Sequence, residues 1–283
     1  MTPVTVRQWL NRAAAALPGD SPRLDAELLL SRALRRPRSW LFAHSDEPLD
    51  DASRRHAEAL LARRRDGVPV AHLLGEREFW SLPLAVTADT LIPRPETERL
   101  VEQALLRLPV GGAARVLDLG TGSGAIAIAI ARERPRASVV ASDASGAALA
   151  VARANVARLA PGRVELRQGD WFTAVAGRHF DVIVSNPPYI AEGDRHLHRG
   201  DLRFEPRSAL AAGRDGLDAL GRICAGAGAH LEAGGWLIVE HGHGQGGVVR
   251  TLFQAAGFSG IETVRDLAGH ERVSAGRWRA PGR

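Results

Sequence analysis

The stretch that decides the fold is Asp118-Leu119-Gly120-Thr121-Gly122-Ser123-Gly124-Ala125, DLGTGSGA. The run Val116-Leu117-Asp118-Leu119 leading into it reads as a buried strand, and the Ala/Ile repeat leaving it, from about 124 to 133, as a helix. Glycines at 120, 122 and 124 permit a tight strand-to-helix turn and a close approach of backbone to a ligand. The helix start adds N–H groups with no partner inside the helix. Downstream the alternation repeats. Ser138 to Asp143, 164–169, Phe180 to Ser185 and 236–240 read as strands. Helices are expected near 146–158, around Leu217, Leu220, Ile223 and Cys224, and over 248–256, with further strand candidates at 261–265 and 272–277. Repeated β-α units predict an α/β fold, a parallel sheet covered on both faces, with ligands bound beyond the carboxyl ends of the strands.

Upstream of the loop, Pro95 suits the first turn of a helix. Leu100, Val101, Ala104, Leu105 and Leu108 then form one apolar stripe. Residues 76–95, with aromatic and β-branched side chains around prolines, read as a hairpin-like connector. Residues 1–75 read as short helices: Leu24, Leu28 and Leu29, then Leu60 and Leu61, fall on helical spacings, and Pro37, Pro48 and Pro69 punctuate them. The expected organisation is a helical domain over 1–75, a connector over 76–95 and an α/β domain over 96–283.

Composition bounds the class. With 45% hydrophobic and 24% charged residues, a chain of 283 is long enough for one large globular domain or for a large one plus a small one. No apolar run approaches the ~20 residues that span a bilayer. The opening MTPVTVRQWLNRAAAALPGD carries arginines and proline rather than a signal-peptide core. A single cysteine, Cys224, allows no intramolecular disulfide, favours a cytoplasmic location and reads as core. The net charge of +5 invites a nucleic-acid partner, but all 37 basic residues are arginine, and residues 1–75 hold 12 Arg against 9 Asp plus Glu. Arg35-Arg36-Pro37-Arg38 and Arg63-Arg64-Arg65 read as solvated helix ends. Charge therefore names no partner, and nothing in the sequence sets the oligomeric state.

The chemistry gathers at strand ends. Gly120-x-Gly122-x-x-Ala125 fits the dinucleotide fingerprint, with Asp143 ending the next strand as a ribose-binding carboxylate. The loop thus points to an adenosine-containing cofactor before it names one. Asp118 extends the pattern to Asp-x-Gly-x-Gly-x-Gly, which resembles the loop of S-adenosylmethionine methyltransferases. A carboxylate there suits the cationic aminoacyl end of that cofactor. Asp170-Trp171, after the third strand, offers a hydrogen-bond acceptor and an indole that can stack on adenine.

Asn186-Pro187-Pro188-Tyr189 follows the fourth strand. It resembles the Asn/Asp-Pro-Pro-Tyr motif of methyltransferases acting on planar nitrogens, amides and exocyclic base amines alike. An amide nitrogen is a poor nucleophile because its lone pair is delocalised. The Asn186 side-chain oxygen and the Pro187 carbonyl can each accept one N–H of a substrate NH2, orienting the nitrogen and favouring the positive charge that develops on it. Prolines fix the direction of the acceptors, and Tyr189 can pack on the planar group. The long loop 191–213 is expected to cover the substrate. His196-x-His198 and His241-x-His243 lack the further ligands of a metal site.

Taken with Gly75-Glu76-Arg77-Glu78-Phe79-Trp80, Leu91-Ile92-Pro93-Arg94-Pro95-Glu96-Thr97-Glu98, DLGTGSGAIAIA, GDW, SNPPYI, RFEP, GGWLIVEHG and DLAGHERV, in that order, the chain resembles the bacterial peptide-chain release factor glutamine N5-methyltransferases, the PrmC (HemK) family. The resemblance runs from about residue 20 onward and is dense from 75. It implies a Rossmann-like, seven-stranded S-adenosyl-L-methionine-dependent methyltransferase domain preceded by a small all-helical domain that recognises the substrate. It also implies transfer of methyl to the glutamine of the Gly-Gly-Gln motif in class 1 release factors, leaving S-adenosyl-L-homocysteine. Asp118, Gly120, Thr121, Gly122, Ser123, Gly124, Asp143, Asp170 and Trp171 would then bind the cofactor. Asn186 would touch cofactor and substrate, and Pro187, Pro188 and Tyr189 would complete the glutamine pocket. Glu96, where an aspartate is common, and His243, near where the family often has tryptophan, depart from the pattern without touching the transfer motif.

Other readings have their own tests. A nucleic-acid amino methyltransferase could use the same corner, but must extract a base and shows no aromatic-basic platform. An NAD-dependent oxidoreductase would use the glycines yet leave the proline corner unexplained. A non-catalytic release-factor-binding module would keep the surface and lose the transfer.

Overall fold

Helices open the chain because its apolar residues recur every three to four positions. The structure, a computed structural model, describes residues 4–279. The outermost residues of the two domains read from the sequence, 1–3 and 280–283, lie outside that range. By internal contacts the chain divides into two compact units, Met1–Glu76 and Arg77–Arg283.

The first unit is five helices: α1 (Val6–Ala16), α2 (Pro22–Leu34), α3 (Arg38–Ala43), α4 (Asp51–Arg65) and α5 (Val70–Leu74). Thr5 starts α1 with a capping box, its hydroxyl accepting from Gln8 N while Gln8 Oε1 accepts from Thr5 N at 3.0 Å. Trp9, Leu10, Leu29, Leu30, Leu41 and Leu61 fill the centre. Each such side chain, fully buried, stabilises the fold by about 1.5–3 kcal/mol. Glu27 on α2 is buried among them and holds Arg23 at 2.9 Å and Arg38 at 2.6 Å. Arg63 to Arg65 form the last turn of α4, where cations meet the negative end of the helix dipole.

A hairpin of β1 (Glu76–Phe79) and β2 (Leu82–Ala85), all but Glu76 of it in the second unit, turns through Trp80 and Ser81, both at positive φ, 53° and 55°. It is no free connector. Phe79 and Leu84 are in the α/β core, and Asn155 exchanges hydrogen bonds with Ala85, Oδ1 accepting at 2.8 Å and Nδ2 donating at 2.9 Å. Pro95–Thr97 makes a 3-10 turn into α6 (Glu98–Arg107). There follow β3 (Arg115–Leu119), α7 (Ala125–Glu133), β4 (Ser138–Asp143), α8 (Gly146–Leu159), β5 (Val164–Gln168), β6 (Phe180–Ser185), α9 (Asp218–Ala227), β7 (Leu231–Glu240), α10 (Gly246–Ala255), β8 (Phe258–Arg265) and β9 (Glu271–Trp278).

The seven-stranded sheet has the order β5-β4-β3-β6-β7-β9-β8. Its residues alternate between two cores: Val116, Val139 and Val182 face one, and Leu117, Val140 and Ile183 the other. Helix α7 is buried on every side from Ala125 to Ala131, which explains its lack of a polar face. The sheet is mostly parallel, as expected, and at one edge β9 runs antiparallel to both β7 and β8. The turn joining β8 to β9 is too short for a crossover, and Asp266 closes it by accepting from Ala268 N and His270 N at 2.9 Å. Strand β7 starts at Leu231 rather than near 236 because Gly234 and Gly235 lie within it; a side chain at Gly235 would meet the Asp181 carbonyl at 3.0 Å. The chain moves outward from β3 in both directions, so β3 and β6 flank a topological switch point. No helix among the described residues is long and apolar enough to cross a membrane.

Candidate active site

At the carboxyl ends of β3, β4 and β6 lies a cavity of about 1060 Å³, part of it open to solvent. Gly120, Thr121, Gly122 and Ser123 form one wall. Their backbone donors are largely spoken for: Gly120 N and Thr121 N both donate to Ser142 O at 2.9 Å, Gly122 N to Asp143 Oδ2 at 2.9 Å, and Gly124 N to Thr121 O at 2.9 Å. The loop therefore does not offer the row of free amides that a pyrophosphate requires.

Two of the loop residues expected to bind cofactor lie behind this wall. Asp118 is fully buried outside the cavity lining, with Oδ2 accepting from the Thr121 hydroxyl at 2.6 Å. Burial pushes its carboxyl up to about 7, against the pull of that hydrogen bond and of Ala127 N–H. Its Oδ2 fastens the loop from below, while Oδ1 is buried without a hydrogen-bond partner. Gly124 caps α7 at φ +85°, and a Cβ there would crowd Ile128 Cδ1 at 3.2 Å.

Asp143 lines the cavity, each carboxylate oxygen holding one backbone N–H, Gly122 and Ser145, with lone pairs left over. Beside it the Ser142 hydroxyl is buried and has no partner. Trp171, at φ +48°, projects its ring to within 3.7 Å of the Cβ position of Gly120. The left-handed backbone at Trp171 is one that a bulky residue seldom adopts, and it places the indole at the cavity wall. Asp170 also lines the cavity and pairs with Arg222 at 2.5 Å. In all, Asp89, Asp143 and Asp170 line the cavity, and no arginine or histidine does. That charge suits a cationic ligand and opposes a phosphorylated one.

The proline corner supplies the opposite wall. Ser185 anchors the end of β6 by donating to Leu119 O at 2.7 Å. Asn186 Nδ2 donates to Thr97 Oγ1 at 3.1 Å, which leaves Asn186 Oδ1 buried and without a partner. Asn186 and Pro188 line the cavity; Pro187 is buried beneath it. Tyr189 does not face the cavity as expected. Its hydroxyl donates to Glu240 Oε1 at 3.2 Å and its ring packs into the second core. Burial, and then the charge of Glu240, hold the phenol above its ordinary value.

Three residues without an assigned role in the sequence join the site. Thr97 is the partner of Asn186. Glu240, fully buried at the end of β7, has its carboxyl pushed up to about 7 by burial, with Thr97, Tyr189 and Arg272 pulling it down and Glu96 adding to the rise. Glu205, within the long loop, accepts from Ile92 N at 3.0 Å and pairs with Arg94, which brings Pro206, Ser208 and Ala209 onto the cavity wall. That loop is not structureless, since 3-10 turns run over Arg195–His198, Gly200–Phe204 and Arg207–Ala209. Among the histidines, buried His241 spends both ring nitrogens on Gly242 O and Ser274 Oγ.

Comparison with known proteins fits this geometry. The model of the PrmC N-terminal domain matches residues 8–75, and that of the methyltransferase small domain residues 98–201. The release factor glutamine methyltransferase of Xylella fastidiosa (strain Temecula1) is 55% identical over 255 residues, which cover 90% of this chain and 93% of that protein. The chain belongs to the release factor glutamine methyltransferase family. The Escherichia coli K12 member is 49% identical over 96% of this chain and 98% of its own length. A methyltransferase structure from Pyrococcus furiosus, 19% identical, superposes with a TM-score of 0.53 over 78% of this chain and 98% of its own, which shows the shared fold alone. Release factor glutamine methyltransferases take their methyl group from S-adenosyl-L-methionine. The residues here fit that group: the acidic lining, the spare lone pairs of Asp143, the orphaned Ser142 hydroxyl and the Trp171 ring complement a cationic adenosine derivative.

Proposed function

We propose that the protein methylates the side-chain amide nitrogen, N5, of the glutamine in the Gly-Gly-Gln motif of class 1 peptide-chain release factors, in the cytoplasm, in support of translation termination. The observation that carries this reading is Asn186 Oδ1, a buried acceptor with no partner at the edge of the cofactor cavity. Leaving such an atom unsatisfied costs about 1–3 kcal/mol, so its natural complement is a ligand N–H. When bound, S-adenosyl-L-methionine supplies an electrophilic methyl group on a sulfonium. Gly120, Thr121, Gly122, Ser123, Asp143, Asp170 and Trp171 hold that cofactor, with Asp118 and Gly124 shaping the loop from behind.

Asn186 Oδ1 accepts one N–H of the glutamine amide and the Pro187 carbonyl accepts the other. These oxygens hold the nitrogen toward the methyl group and favour the positive charge gained in the transition state. The proton then leaves readily, because a methylated amide nitrogen bearing positive charge is strongly acidic. Pro188 bounds the pocket, and Tyr189 fixes the corner through Glu240. The helical unit over 1–75 serves to recognise the release factor.

The test is incubation of the purified protein with radiolabelled S-adenosyl-L-methionine and either a release factor or nucleic acid. Label is expected in the release factor. Label in nucleic acid with an unmarked release factor would favour a base amino methyltransferase. Release-factor binding without transfer would favour a non-catalytic module.

A further inference from the structure

Two prolines leave the corner with no N–H at 187 and 188, so its own amides cannot anchor it there. A corner short of donors has to be held through its carbonyls and side chains, by donors brought from elsewhere. One end is fixed where Ser185 donates to Leu119 O at 2.7 Å. The other end is Tyr189, whose carbonyl oxygen accepts from Gln245 Nε2 at 3.0 Å, 56 residues away in sequence. Gln245 stands at the start of α10 and closes the turn after β7. Its N donates to Gly242 O at 2.9 Å, and its Oε1 accepts from Gly242 N at 2.8 Å. The side-chain amide therefore has one workable direction. Gly242 N–H can only donate and so takes the oxygen; Tyr189 O can only accept and so takes the NH2. Turning the amide over would break both contacts at once.

The mount is rigid. Val249 N donates to Gln245 O at 2.9 Å in the first turn of α10, and Val249 and Phe253 of that helix are fully buried. We propose that Gln245 is a positioning residue for methyl transfer, its side-chain NH2 holding the Tyr189 carbonyl so that Asn186 and the Pro187 carbonyl keep their aim at the acceptor nitrogen. With φ fixed at both prolines, few torsions remain between the anchors at Ser185 and Tyr189. A shift at one end is therefore passed to the acceptor oxygens between them. Gln245 itself is not part of the cavity lining, so its loss leaves the cofactor wall as it is. The proposal rests on the role given above to Asn186 and Pro187 and adds the residue that holds them in place from the far side.

Gln245→Met keeps the side-chain length and removes both polar atoms. Gln245→Glu, assayed above neutral pH, keeps an acceptor for Gly242 N and removes the donor to Tyr189. With a release factor as substrate, Q245M and Q245E are each expected to lower kcat about ten- to hundredfold, between the worth of one lost hydrogen bond and the effect of a displacement of about 1 Å. Calorimetric affinity for S-adenosyl-L-homocysteine should stay within about twofold, the split expected of an interaction felt in the transition state. A readout independent of turnover comes from Tyr189, the one tyrosine of the chain: labelling tyrosine with carbon-13 at the carbonyl gives a single backbone resonance. It should move upfield in both variants, as a carbonyl does when it gives up a hydrogen bond. Loss of kcat in Q245M alone would place the effect in the turn 242–245 and overturn the proposal. So would wild-type kcat in both variants, a resonance that stays where it was, or cofactor affinity falling as far as kcat. Should the wild type methylate nucleic acid and no release factor, the functional reading fails, and the same comparisons made on that acceptor still decide the role of Gln245.

Discussion

Gly216 lies outside every motif of the site, yet the proline corner rests on it. Its φ is +79°, and a Cβ built there would stand 2.3 Å from the Tyr189 carbonyl oxygen, 2.9 Å from its carbon and 3.1 Å from Ala191 N. All are backbone atoms. They cannot swing aside alone, because Tyr189 O accepts from Gln245 Nε2 at 3.0 Å, Ile190 N donates to Leu210 O at 2.9 Å, and Ala212 N donates to Ile190 O at 3.0 Å. Gly216→Ala must therefore move the corner by about 0.7 Å to reach a tolerable contact. The left-handed backbone costs an alanine about 1–2 kcal/mol, and the forced contact about 1–3 more. A loss of about 2–5 kcal/mol should lower Tm by roughly 4–20 °C for a unit of this size. Because the two prolines transmit the shift to Asn186, kcat should fall about a hundredfold, the usual effect of displacing a reacting group by about 1 Å. Cofactor affinity, set mainly by the wall around Gly120 and Asp143, should change little. The assay pairs release-factor methylation kinetics with calorimetry and a thermal melt. Wild-type kcat in a folded G216A protein would refute the claim that the corner is held rigid from behind.

The remaining expectations follow from individual contacts. Asn186→Ala should cut kcat by about a hundredfold or more with cofactor affinity nearly kept, whereas Gly122→Val, pointing into the cavity, should abolish binding by calorimetry. Glu27 is subject first to burial, which raises its pKa, but Arg38 and Arg23 overcome this and hold it below its ordinary value. Its contribution is thus present above pH 4.5 and lost as the pH falls through the lowered value. Glu27→Gln should cost about 1–3 kcal/mol at neutral pH, discounted because both arginines are half-exposed, and its melting deficit should shrink as the pH falls below 4.5. Asp118 runs the other way: raised to about 7, it favours the fold below pH 3.8 and loses that advantage as the pH climbs through 7. In melts across that range, Asp118→Asn should show a shallower decline than the wild type.

Local pattern made much of this protein legible. The β4 and β6 boundaries, the apolar stripe of α6 and the glycine loop all arise from residues adjacent in sequence, and spacing alone reveals them. The parts that spacing could not reveal depend on distant partners. Asn186 and Thr97 are 89 residues apart, Tyr189 and Glu240 are 51 apart, and Glu205 reaches back 113 residues to Ile92. Asp118 and Tyr189 have residue types that suit a ligand, and only the fold shows Asp118 Oδ2 holding the Thr121 hydroxyl and the Tyr189 hydroxyl resting on Glu240. Glu240 did leave a trace: a carboxylate ending the apolar run Trp236-Leu237-Ile238-Val239 is too costly to keep without a task.

The central claim is that an oriented pair of oxygens at Asn186 and Pro187 directs a methyl group to one amide nitrogen. Tandem mass spectrometry of a class 1 release factor, incubated with the protein and S-adenosyl-L-methionine, tests it most directly. One added methyl on the side-chain nitrogen of the Gly-Gly-Gln glutamine, absent with Asn186→Ala, is the result this account predicts. A methyl on any other residue, or an unmodified release factor beside methylated nucleic acid, would contradict it.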